Sequence, residues 1–101
     1  MNKSQDQFEV LRKIQKEPMA TQRELAKKLD FSLGKLNYLI NALKLKGLIK
    51  IKNFKNNEDK IKYFYLLTPK GISKKAKLTI NFMKNKMIEY EELKRELEKN
   101  D

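Results

Sequence analysis

The chain has 101 residues, with 24 Lys and Arg against 13 Asp and Glu, and it contains neither cysteine nor histidine. That length makes one domain with a modest core, burying about 60–65% of its unfolded surface. Disulfides, thiolate zinc sites, thiol nucleophiles and most general-base chemistry near neutral pH lose their usual side chains, and no carboxylate pair stands in a catalytic motif; the chain is expected not to be an enzyme, and to need no metal and no cofactor.

Helix starts are marked in chain order. Ser4 with Gln7 fits a capping box, and Phe8, Leu11 and Ile14 follow at helical spacing. Glu17-Pro18 ends this first helix, because the residue before proline avoids the α region. Thr21 with Glu24 is a second capping box, opening a short helix whose Leu25, Ala26 and Leu29 share a face and which ends near Asp30. Ser32 caps a third helix, with Phe31 and Leu36 at the positions of a hydrophobic staple. Leu33, Leu36, Ile40 and Leu43 are expected on its apolar side with Leu39 flanking, and Gly47 sits where a left-handed residue closes a helix.

The period then changes. "LIKIKNF" (48–54) alternates, with Ile49 and Ile51 on one side and Lys50 and Lys52 on the other. "IKYFYLLT" (61–68) is rich in aromatic and β-branched residues, and the polar tip "KNNEDK" (55–60) makes the pair a hairpin. Thr68-Pro69 opens the last helix with an N-cap and a proline at the first helical position; Leu67 and Ile72 offer another staple. From Pro69 to about Asn100 only Gly71, in the first turn, works against the helix. Ala76, Ile80, Met83, Met87 and Tyr90 recur at coiled-coil spacing; Leu93 and Leu97 continue the seam, displaced. About 30 residues of helix run about 45 Å, too long to bury the seam on so small a body, so a homodimer through residues 76–97 is expected.

The order is helix, helix, short turn, helix, hairpin, helix. It reads as a mainly α fold with a small β-hairpin: a winged helix-turn-helix over 1–68, followed over 69–101 by a long C-terminal dimerisation helix. In that arrangement the third helix enters a major groove and the hairpin, or wing, lies over the adjacent backbone. Opposite Leu36 and Ile40 stand Gly34, Tyr38 and Asn41, flanked by Lys35 and Asn37. Asparagine can pair with adenine through both its amide atoms, Lys35 can reach phosphate or guanine, Tyr38 a phosphate or a thymine methyl, and Gly34 lets backbone come close. Each is also an ordinary surface residue; their coincidence on one face carries the reading. On the hairpin Lys52, Lys55, Lys60 and Lys62, with Lys50 and Asn56, suit phosphate or simply guard a sheet edge. Thr21 and Gln22, with Ser32, add hydroxyl, amide and helix N-terminal groups for phosphate. Leu45 falls on the polar side with no role.

Charge is uneven along the chain. Residues 1–87 hold 21 basic and 7 acidic side chains, and residues 88–101 hold 3 and 6. A basic body points to a polyanion, and a mildly acidic end to another task. The start has no apolar signal region, and the longest apolar run (63–67) is far short of the roughly 20 residues of a membrane span, so a cytoplasmic protein without a membrane partner is expected.

The segments "SLGKLNY", "KNFKN" and "YLLTPKGI", together with "MIEYEELKRELE", resemble MarR-type winged-helix transcriptional regulators, and within them the exopolysaccharide-associated subgroup. The resemblance covers roughly residues 20–100. It implies double-stranded DNA binding, a homodimer and control of transcription, usually repression, with a link to polysaccharide genes. Ser32, Gly34, Lys35, Asn37 and Tyr38 match its recognition-helix segment, and Tyr65, Leu67, Thr68 and Gly71 its strand-to-helix corner. The wing carries Glu58-Asp59-Lys60 and no arginine, and the first helix starts almost at once, so neither a minor-groove arginine, the larger relatives' dimer geometry nor a small-effector pocket is carried over. The competing class is a protein–protein adaptor using Leu45 and the surface at Met83 and Met87. Non-specific compaction or RNA binding ranks lower, because the recognition face has no platform of several aromatics.

Overall fold

The computed structural model describes residues 3–55 and 57–99. Local chemistry sets its elements: α1 (Lys3–Lys16), α2 (Gln22–Leu29), α3 (Leu33–Leu45), β1 (Ile49–Lys55), β2 (Ile61–Leu67) and α4 (Pro69–Lys99). Ser4 lies inside α1, whose first described residue is Lys3, so it is not the cap expected. α1 stops at Lys16, one residue before Glu17-Pro18. Thr21 Oγ1 accepts from the Glu24 N–H at 3.1 Å, and Ser32 Oγ accepts from the Lys35 N–H at 3.1 Å, so both inner helices are capped as expected.

Two left-handed residues end those helices. Asp30 (φ 58°) lets the Phe31 N–H reach the Ala26 carbonyl at 2.9 Å. Gly47 (φ 72°) lets the Leu48 N–H reach the Leu43 carbonyl at 3.0 Å, while its own N–H bonds the Lys44 carbonyl. Both are Schellman closures, which satisfy carbonyls the helix leaves open. Each turns the chain within two residues, and so sets the angle at which α3 follows α2 and β1 follows α3.

Val10, Leu11, Ile14, Leu25, Leu36, Ile40 and Leu43 are fully enclosed and form the centre of the core. Truncating one of them to alanine costs about 2–5 kcal/mol by lost burial and cavity formation. Leu39 joins the core at 3% exposure, whereas Leu33 is 45% exposed; the two exchange the places expected of them. Leu33 and Leu39 lie on opposite sides of Leu36, and only the Leu39 side is covered by the body.

The strands pair antiparallel, Ile49 opposite Leu67 and Lys55 opposite Ile61. Lys55 therefore belongs to β1, and the tip is one residue shorter than expected. Ile49 is buried and Ile51 half-buried, while Lys50 and Lys52 point outward, as alternation requires. The Tyr65 N–H bonds the Pro18 carbonyl at 3.0 Å, which ties β2 to the turn after α1.

Thr68 caps α4, accepting from the Gly71 N–H at 3.0 Å, and Pro69 follows as the first helical residue. Gly71 has a packing reason. A Cβ there would stand 1.9 Å from the Leu48 carbonyl oxygen, which also accepts from the Thr68 N–H. Leu78 is buried, and Phe82 stacks on Phe8 with ring centroids 4.9 Å apart. From Met83 onward every described residue of α4 is exposed, and the molecule extends to 66 × 26 × 23 Å.

Candidate nucleic-acid interface

Three elements bring polar groups to one side: the start of α2, the outward arc of α3 and the hairpin. On α3, Gly34, Lys35, Asn37, Tyr38 and Asn41 are all exposed, with Tyr38 at 60%. A Cβ built on Gly34 meets nothing within 4 Å, so the backbone there faces open space. Asn37 Nδ2 donates to Gln22 Oε1 at 3.1 Å, and Asn41 Nδ2 donates to Asn37 Oδ1 at 3.1 Å. These amides form a ladder from α2 across α3. It fixes side chains that would otherwise rotate, and so lowers the entropy lost when they engage a ligand.

Lys35 is held differently. Its Nζ lies 3.1 Å from Asp6 Oδ2 of α1 and 4.2 Å from the centroid of the Phe31 ring. At about 100° per residue it stands beside Leu39, at one border of the arc as Asn37 stands at the other; its contacts turn it toward α1. Sequence reasoning missed Asp6, although it falls four residues before Val10 on the buried face of α1; a carboxylate at a core position was the signal.

Thr21 is exposed, and its hydroxyl donor is committed to Glu24 Oε1 at 3.1 Å. Ser32 is exposed beside Gly34 and serves as cap. Across a cleft of ≈ 350 Å³ from Thr21 and Gln22 lie Lys62 and Tyr63 of β2, so α2 and the hairpin share one concavity.

On the hairpin, cross-strand partners share a face. Lys50, Lys52 and Phe54 stand with Leu66, Phe64 and Lys62, and Phe54 meets Phe64 edge-on at 5.8 Å. Lys52 and Lys62 are exposed. Lys55 lies on the other face and pairs with Asp59 at 3.5 Å; Lys60 pairs with Glu58 at 3.6 Å. Such exposed pairs are worth little and exchange readily for a phosphate. Asn56 lies outside the described residues.

One titratable group nearby is displaced. Lys28 donates to Glu17 and holds its carboxyl below the usual glutamate range against an opposing desolvation, helped by the charges of Lys28, Lys13 and Lys16. It ties α2 to the end of α1 and lies apart from the arc. Among the described residues no group of three or more acidic side chains is placed to hold a metal ion, and no helix is long and apolar enough to cross a membrane.

The residues expected at a dimer interface share one stripe of α4. Ala76, Ile80, Met83, Met87, Tyr90, Leu93 and Leu97 are all exposed, Ile80 at 52% and Leu97 at 68%. The side of α4 that packs on the body is a different one, carrying Gly71, Leu78 and Phe82. A groove of ≈ 450 Å³ between α1 and α4 runs past Phe8, Arg12 and Phe82 to Met83 and Met87.

Residues 7–50 match the family model described as winged helix-turn-helix DNA-binding. No curated protein matches the sequence. The structure is similar to that of Staphylococcus aureus MarR in complex with salicylate and kanamycin (TM-score 0.68, 22% identity), covering 86% of this chain and 57% of that one. It is also similar to a mutant MarR from E. coli complexed with operator DNA (TM-score 0.57, 30% identity), with 72% and 51% covered. Streptococcus pneumoniae FabT in complex with DNA gives a TM-score of 0.56 and 25% identity, with 83% and 59% covered. The chain thus spans between half and three-fifths of the length of these three proteins. By element order, by the matched segment and by backbone course, it is a winged helix-turn-helix protein with the fold of MarR-type regulators.

Proposed function

We propose that the protein is a homodimeric transcriptional regulator that reads double-stranded DNA by sequence. One observation carries the reading: an uncharged polar arc on α3, with a fixed amide ladder, stands beside a hairpin whose Lys50, Lys52 and Lys62 share a face with no acidic residue among the described ones. An arc of that kind suits base edges in a major groove, and lysines of that kind suit phosphates. Gly34, Tyr38, Asn37 and Asn41 face the bases; Ser32, Thr21 and Gln22 flank the backbone; Lys52, Lys55, Lys60 and Lys62 supply attraction. The similarity to two DNA-bound structures supports duplex DNA as the partner.

Dimerisation through the α4 stripe completes the reading. A contiguous apolar stripe left open along a projecting helix is uncommon in monomers and marks an interface. A two-fold dimer would read two half-sites about 10 bp apart, or a multiple of that. Repression is the proposed output, and the sequence resemblance points to polysaccharide genes as the regulated set. The protein is proposed to work in the cytoplasm, without a cofactor.

The test is binding to a duplex selected from a random pool and to a scrambled duplex of the same composition, at two salt concentrations. Tighter binding to the selected duplex at both is expected; equal affinity throughout would remove sequence-specific reading. An adaptor role draws on Leu45, 89% exposed at the end of α3. Absence of duplex binding at low salt would favour it.

A further inference from the structure

We infer that Asp6 is a positioning residue for DNA binding: it holds Lys35 away from the nucleic acid and so keeps the reading arc of α3 uncharged. The inference rests on the duplex-binding reading above. α3 carries two charged residues, Lys35 in its first turn and Lys44, exposed, in its last, so where the Lys35 ammonium goes decides whether the first turns, with Gly34, Asn37 and Tyr38, offer a charge to DNA.

Two contacts draw it to the α1 side, the Asp6 carboxylate at 3.1 Å and the face of the Phe31 ring at 4.2 Å. Asp6 is 7% exposed, and among the described residues its second oxygen, Oδ1, is buried without a hydrogen-bond partner. A carboxylate in that position has little water to stabilise it, so the ammonium is its main compensation. A phosphate competing for Lys35 would leave that carboxylate buried and alone. This sets the pair apart from those at the wing tip. There Lys55 and Asp59 are both open to solvent, and a phosphate can displace the acid at little cost.

The result is a separation of tasks. Attraction to any duplex comes from the hairpin, and discrimination from neutral groups on α3. A free Lys35 beside the arc would add an interaction that every sequence offers, narrowing the ratio between the right site and the rest.

The full-length chain with Asp6→Asn tests this, since the substitution keeps the shape and removes the charge that holds Lys35. Affinity for the selected and scrambled duplexes is measured by fluorescence anisotropy from 50 to 200 mM salt, with helix content checked by circular dichroism. The expected result is a salt slope steeper by about 0.9 per bound protomer on both duplexes, roughly a three- to fourfold greater loss of affinity across that range. The preference for the selected duplex falls with it. Adding Lys35→Met to Asp6→Asn returns the slope to that of the unaltered chain. A folded Asp6→Asn variant with an unchanged slope overturns the inference. Where the single variant does not fold, the pair decides: an unaltered slope supports the inference, and one flatter by about 0.9 overturns it, because Lys35 was then already on a phosphate. Binding with the wrong slopes overturns this inference alone. Absence of any duplex binding by the unaltered chain overturns the DNA reading as well.

Discussion

Gly34 and Gly71 both lie in first turns of helices, and their surroundings give them opposite meanings. Gly71 has no room for a side chain, because the Leu48 carbonyl occupies the place of its Cβ. Gly71→Ala is expected to cost at least about 2 kcal/mol in urea denaturation, since strand and helix must part to admit the methyl group. Gly34 has open space around it, so alanine there should raise stability by about 0.5–1 kcal/mol through helix propensity alone. The same Gly34→Ala variant is expected to bind duplex DNA more weakly. A stabilised protein with undiminished binding would mean that DNA stays clear of the start of α3.

Among the elements, the proposed interface divides its work between α3 and the hairpin. Asn37 is the middle rung of the amide ladder, so Asn37→Ala is expected to narrow the preference for the selected over the scrambled duplex with little change in salt slope. Lys52→Ala with Lys62→Ala is expected to weaken both duplexes alike and to flatten the slope by up to about 0.9 for each phosphate no longer neutralised. The opposite pattern in salt titrations would exchange the roles of the two elements. The hairpin pair is the better probe because Lys55 and Lys60 already have acidic neighbours at the tip. The Schellman closures at Asp30 and Gly47 orient these elements, which makes them part of the site although no ligand would touch them.

At the scale of the whole molecule, α4 does two things along its length. As far as Phe82 it is part of the core, through Gly71, Leu78 and the stack on Phe8. Beyond that it is a projecting arm whose apolar stripe lies open to solvent, and the excess of acidic residues after Met87 lies on this arm. Ile80→Asp with Met87→Lys is therefore expected to give a monomer mass by sedimentation at tens of micromolar, with helix content and melting temperature little changed. A monomer mass for the unaltered chain at that concentration would overturn the proposed seam.

The elements were legible in the chain because their signals are local. Thr21, Ser32 and Thr68 are caps whose hydroxyl oxygens satisfy the backbone N–H three residues on, and Gly47 is a closing residue whatever surrounds it. Hairpin alternation placed Ile49 inside and Lys50 outside for the same reason: a strand has only two faces. The rest was set by packing, because it depends on what stands opposite. Leu33 and Leu39 are equivalent by periodicity, and only the position of α1 and α2 buries the second and leaves the first open. Gly71 looks like a weakness in a helix until the Leu48 carbonyl is brought against it. Lys35 reads as an open polar residue, and only the fold sets the buried carboxylate of Asp6 beside it, across 29 residues of chain that no local pattern spans.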